Sequence, residues 1–213
     1  AGAPAPAPAG AGPVGSGFVV RCGGGLRSTR AEGVVAAVPP GGDGTRPGPI
    51  GRALAGLELT AAGAPVRGVH DATVGTRVVV RDASGTTALT VTRPDERPVA
   101  VVAGGPGAEP LTASREVDGR RWAIVLRRGE QDRGRLRSDD LLGRRWVLED
   151  DGLDRATVTR QVERPADRRR WARVDYQVAP ATGGDELDPA TLDLVGVVLA
   201  LDLLDTQLPD RGD

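Results

Sequence analysis

The run Leu187-Asp-Pro-Ala-Thr-Leu-Asp-Leu-Val-Gly-Val-Val-Leu-Ala-Leu-Asp-Leu-Leu-Asp205 restricts the possible folds more than any other part of the chain. Asp188 is placed to cap a helix, and Pro189 fits the first helical position, where a missing N–H costs nothing. From Leu192 to Leu204 only Asp193 and Asp202 interrupt the apolar residues. No single stripe then faces a core, and the whole cylinder requires burial. The segment falls short of the roughly 20 apolar residues needed to cross a bilayer, so no transmembrane span is expected. An all-round apolar helix that follows a series of short strands is most simply the plug of a β-barrel, here predicted over 188–206.

The strands announce themselves as short β-branched runs bounded by Gly, Pro or Asp: Phe18-Val-Val20, Val34-Val-Ala-Ala-Val38, Arg77-Val-Val-Val80, Trp122-Ala-Ile-Val-Leu126 and Trp146-Val-Leu148. Three Asp/Gly turns, Asp82-Ala-Ser-Gly85, Asp118-Gly119 and Asp150-Asp-Gly152, supply the positive φ that hairpins use. Their glycines stand 34 and 33 positions apart, which predicts a repeated hairpin unit. The outer two copies also align, Arg77-Val-Val-Val-Arg-Asp with Thr90-Val-Thr-Arg93 against Arg145-Trp-Val-Leu-Glu-Asp with Thr157-Val-Thr-Arg160. Evenly spaced antiparallel strands leave unpaired edges unless the sheet closes. The prediction is a mainly β fold, a closed antiparallel barrel threaded by the C-terminal helix.

Residues 1–17, rich in Pro and Ala, lack the large apolar groups that offset ordering entropy and are expected to form a flexible tail. A single domain of residues 18–207 follows, and 208–213 are expected to fray, the terminal Arg211-Gly-Asp213 included. All 28 basic residues are Arg against 29 acidic ones, for a formal charge of -1. That balance argues against nucleic-acid binding through bulk charge. Cys22 is the one cysteine, which excludes an internal disulfide, a cysteine zinc site and a CxxC redox pair. With no charged n-region or apolar h-region at Ala1, a cytoplasmic protein is expected, peripheral to the membrane at most.

The strand, Asp/Gly turn, strand pattern, then Asp175-Tyr-Gln-Val178, then Leu187-Asp-Pro189 with Leu199-Ala-Leu-Asp-Leu203, resembles the bacterial phospholipid-scramblase-related proteins. These share the tubby C-terminal-like fold with the LURP-one-related proteins. The resembling residues also include Val80-Arg-Asp-Ala-Ser-Gly85, Leu89-Thr-Val-Thr-Arg-Pro94, Arg145-Trp-Val-Leu-Glu-Asp-Asp-Gly152 and Ala156-Thr-Val-Thr-Arg160. The match runs from Gly75 to Gln207. It implies about twelve strands around the terminal helix, and a function at membranes, since tubby-type members tether to phosphoinositides. Fold alone does not carry function.

Chemistry-bearing constellations are few. His70 is the sole histidine, and no Ser stands in a G-x-S-x-G elbow, so acyl-transfer catalysis is not expected. Without Lys there is no Walker site, and Gly23-Gly-Gly25 and Gly104-Gly-Pro-Gly107 miss the dinucleotide pattern. Glu149, Asp150, Asp151 and Asp154, and the Gly183-Gly-Asp-Glu-Leu-Asp188 stretch where animal scramblase-type relatives carry a proposed calcium segment, offer hard oxygens without an EF-hand order. No metal and no cofactor is expected.

The arginines remain. Arg120-Arg121 adjoins Trp122, Arg144-Arg145 adjoins Trp146, and Arg168-Arg169-Arg170 adjoins Trp171. Arg grips phosphate bidentately and Trp favours the water–lipid interface, so these junctions are candidates for anionic phospholipid head groups. The competing reading turns the tryptophans inward against the helix and leaves the arginines on a solvated wall, with Arg133, Arg135 and Arg137 alternating as on any exposed strand. The expected function is a non-enzymatic, anionic lipid- or membrane-surface-binding barrel. The alternative is a protein-interaction or scaffold module without a lipid ligand.

Overall fold

A computed structural model describes residues 17–22, 31–38, 51–61, 64–65, 75–94, 98–105, 107–118, 121–139, 143–163, 173–180 and 186–205. Among the described residues thirteen strands precede one helix: β1 (Phe18–Cys22), β2 (Ala31–Ala37), β3 (Ala53–Ala61), β4 (Ala64–Pro65), β5 (Thr76–Arg81), β6 (Thr87–Thr92), β7 (Val99–Ala103), β8 (Leu111–Asp118), β9 (Arg121–Arg128), β10 (Gln131–Ser138), β11 (Arg145–Asp150), β12 (Leu153–Glu163), β13 (Arg173–Pro180) and α1 (Pro189–Asp205).

Twelve of the strands form a closed antiparallel ring in which β1 pairs with both β13 and β2, β2 pairs with β3, and β5 to β13 run in chain order; the two-residue β4 pairs with β3 outside the ring. Closure removes the sheet edges on which other chains could template. The expected barrel is therefore observed.

Period-two alternation sends one face of each strand to the lumen. Phe18, Val20, Val35, Val80, Val91, Ile124, Leu136, Val158, Tyr176 and Val178 are buried there together with α1. Val195 and every residue from Val197 to Leu204 are buried, and steps of 100° per residue carry these positions around the entire cylinder. The helix also meets opposite walls. A Cβ built on Gly196 would stand 2.5 Å from Cγ1 of Val102 on β7, while Asp202 accepts a hydrogen bond from Tyr176 on β13. β7 and β13 lie six strands apart in a ring of twelve, so α1 occupies the lumen. Asp188 Oδ1 accepts the Thr191 amide at 2.7 Å, confirming the cap, and Pro189 opens the helix as expected.

The repeat has a structural meaning. Each 33- or 34-residue step spans three strands, so Gly85 and Gly152 fall in turns at one end, and Gly119 belongs in sequence to a connection at the other. The outer copies, β5–β6 and β11–β12, sit across the barrel from one another, and both ladders slip by one residue at matched positions, between Val80 and Arg81 and between Leu148 and Glu149. Each copy ends on an inward arginine. Arg93 is buried and paired through its backbone to Thr76, and Arg160 stands opposite the buried Tyr176. Both lie at the end of the barrel where α1 finishes, where positive charge complements the helix dipole.

The outer wall carries arginine and carboxylate in facing positions. Arg21 and Asp175 are directly opposed on β1 and β13 and make a two-pronged pair of 2.8 and 2.7 Å. Arg127 bonds Asp132 at 2.9 Å, Arg137 pairs with Glu149, and Arg155 reaches Asp150 at 3.5 Å. An apolar lumen behind a polar wall is the reverse of a membrane-spanning barrel, whose apolar band faces lipid. No helix of the described residues is long and apolar enough to cross a membrane.

Candidate functional site

Antiparallel order fixes which connections share an end of the barrel. The links β1–β2, β3–β5, β6–β7, β8–β9, β10–β11 and β12–β13 belong to one rim, and β2–β3, β5–β6, β7–β8, β9–β10, β11–β12 and β13–α1 to the other. The connections whose sequences carry or adjoin the three Arg/Trp junctions all join strands at one rim. Between their strands the six links of this rim (23–30, 62–75, 93–98, 119–120, 139–144 and 164–172) contain eleven arginines and six carboxylates. The six links of the opposite rim (38–52, 82–86, 104–110, 129–130, 151–152 and 181–188) contain eight carboxylates and two arginines. By sequence, the connections at one end of the barrel are basic and those at the other acidic.

The individual side chains divide. Arg144 and Arg145 are exposed at the basic rim, and Arg145 Nε lies 3.4 Å from a carboxylate oxygen of Asp139. β9 begins at Arg121, whose side chain is not described, and Arg120, Arg168, Arg169, Arg170 and Trp171 lie outside the described residues, as do His70, residues 1–16 and 206–213. Trp146 is 0 % exposed and donates its indole N–H to the Gly143 carbonyl at 3.2 Å. Trp122 is half-buried against the core. The inward alternative describes these two tryptophans: they close the lumen and do not stand on the outer surface.

Three of the four residues of the first acidic cluster have places in the wall and its turn. Glu149 faces Arg137, Asp150 faces Arg155, and Asp151 adopts the positive φ of 51° that the β11–β12 turn requires. No group of three metal-ligating side chains occurs among the described residues. Residues 181–185 of the second acidic stretch lie outside them, and Asp188 serves the helix cap.

One rim residue gave no signal in the sequence. Arg115 on β8 faces Ile124 across the ladder, so it points to the lumenal side, and its guanidinium lies 4.5 Å from the centre of the Trp122 ring. Trp122 is in turn held edge-to-face on Trp146, with ring centres 4.4 Å apart at 61°. Only the pairing register brings Arg115 and Trp122, seven positions apart on two strands, into contact.

No family model, curated protein or solved structure matches the chain.

Proposed function

We propose that this protein is a non-enzymatic module that docks through its basic rim onto anionic membrane surfaces, with phospholipid head groups as the ligand. The observation that carries the reading is the convergence of three arginine-rich connections at one end of the barrel. The lumen is occupied by α1, so a ligand has the outside and the rims to choose from. On the wall the arginines are largely engaged by carboxylates, and exposed pairs of that kind give up little charge to a partner. At the rim the arginines outnumber the carboxylates, and Val117 and Val162, 79 % and 46 % exposed, lie at the same end. Cationic groups beside exposed apolar side chains suit the head-group region of an anionic bilayer. The resemblance to scramblase-related proteins agrees with a role at the cytoplasmic membrane face.

Sedimentation with anionic vesicles tests the proposal. Wild type should pellet at low salt and be released as salt rises, and the triple variant Arg168→Ser, Arg169→Ser, Arg170→Ser should stay in solution with an unchanged melting temperature. Absence of pelleting at every salt concentration would leave the scaffold reading, which the exposed Leu153 (60 %) at the acidic rim favours.

A further inference from the structure

The mouth of the barrel at the basic rim is walled by Arg115, Trp122 and Val117. Val117 and Trp122 are directly opposed on β8 and β9, on the same face as the core residue Ile124. Val117 is nonetheless 79 % exposed, so at this strand end the lumenal face of β8 meets solvent. The floor is rigid, because the indole of Trp122 rests edge-to-face on a Trp146 that is itself pinned to Gly143. Arg115 stacks on that floor. On the wall Arg21, Arg127, Arg137 and Arg155 each have a carboxylate partner, whereas the Arg115 guanidinium makes no hydrogen bond or ion pair among the described residues. Stacking uses the face of a guanidinium and leaves its planar N–H fork available. A half-buried fork of donors held in place by a ring is a preorganised acceptor for two oxygens of one phosphate, and a neighbouring exposed valine accommodates an apolar substituent on that phosphate.

We infer that Arg115, stacked on Trp122, is a seat for a phosphomonoester group attached to an apolar portion. The inference rests on the reading above for the end of the barrel at which the ligand arrives. Its source is either a lipid head group or a soluble alkyl phosphate, and both share this chemistry.

The test uses the full chain and two probes, hexyl phosphate followed by tryptophan emission, and phosphatidylcholine vesicles doped with phosphatidate followed by sedimentation. Hexyl phosphate should shift wild-type emission, inorganic phosphate should compete, and Arg115→Gln should bind about tenfold more weakly or worse, as expected for loss of a charge-assisted bidentate contact. Arg115→Lys, which keeps the charge without the fork, should fall between them, and Trp122→Phe should remove most of the emission change. Melting temperatures of all variants establish that each is folded; should Arg115→Gln not fold, the Arg115→Lys comparison decides. No response of wild type to hexyl phosphate, or equal affinity of the folded Arg115 variants and wild type, overturns the seat. Wild-type pelleting that persists undiminished in Arg115→Gln overturns the seat and leaves the rim reading intact. Arg115-dependent hexyl phosphate binding without vesicle pelleting confirms the seat, assigns it to a soluble phosphate and overturns the rim reading alone.

Discussion

The phenol of Tyr176 donates a 2.6 Å hydrogen bond to Oδ1 of Asp202, joining the barrel wall to the helix inside it. Both residues are buried, and a carboxylate in an apolar lumen is tolerated only while its oxygens are engaged. Tyr176→Phe removes the donor and keeps the ring, so the loss should be that of a satisfied buried acceptor, about 1–3 kcal/mol. Urea unfolding should show a lowered midpoint with an unchanged slope. An unchanged midpoint would mean that this bond contributes nothing to holding helix and wall together.

Leu199 is 1 % exposed in the middle of α1. Leu199→Asp sets an unpaired charge inside the barrel at a cost of several kcal/mol, against a whole-domain stability of about 5–15 kcal/mol. The variant should fail to melt cooperatively, by near-ultraviolet circular dichroism or calorimetry. A wild-type melting curve would place this helix outside the barrel.

At Gly196 α1 comes close to the wall. A Cβ there would lie 2.5 Å from Val102 Cγ1 and 3.2 Å from Leu89 Cδ2. Gly196→Ala gains up to about 1 kcal/mol of helix propensity and loses about 1–3 kcal/mol to overpacking, so net destabilisation is expected. Adding Val102→Ala should recover part of the loss, and a double-mutant cycle measures the coupling. Additive effects would separate the two residues.

The Cys22 thiol is held well above its ordinary range, first by burial, then by the Asp202 and Asp175 carboxylates and a hydrogen bond with Asp202. A folded-state value above the unfolded one, about 8.5, means that the contribution is complete below that pH and is lost as pH rises through the folded value. Stability should therefore decline on the alkaline side, and Cys22→Ala should flatten the decline. The native thiol should also resist alkylation until the chain unfolds. Rapid labelling of native protein would contradict the buried position.

Asp188 titrates in the opposite sense. Its carboxyl is lowered first by the Thr191 amide and then by the Thr191 hydroxyl, so its contribution is present above about pH 3.9 and disappears as pH falls through the folded value. Asp188→Ala should blunt acid destabilisation over that range, as followed by thermal melts between neutral and acid pH. An identical acid profile would remove the cap from the account.

Architecture was far more legible in the chain than chemistry. Helix burial could be foreseen because Leu192 to Leu204 offers no polar face, and the strands because Asp/Gly turns punctuate β-branched runs. The aligned copies announced a repeated hairpin, and the structure adds that both copies carry the same ladder slip. The Arg/Trp junctions were visible as neighbours in sequence, yet adjacency says nothing of direction: in a strand, consecutive side chains point to opposite faces, which is how Trp146 turns into the lumen beside an exposed Arg145. Arg115 was invisible for the complementary reason. Its partner stands across a hairpin, and only the register Val117↔Trp122, Arg115↔Ile124 shows that they share a side.

The position of α1 after every strand in chain order has a consequence for biogenesis. Synthesis runs from the amino end, so all twelve staves of the ring leave the ribosome before the piece around which they close. Its first and last staves, β1 and β13, must also find each other across most of the chain, at Phe18↔Val178. Non-local pairing of this kind is slow. In the interval the nascent sheet holds an apolar hollow with nothing inside it, the state most vulnerable to aggregation and most in need of a chaperone.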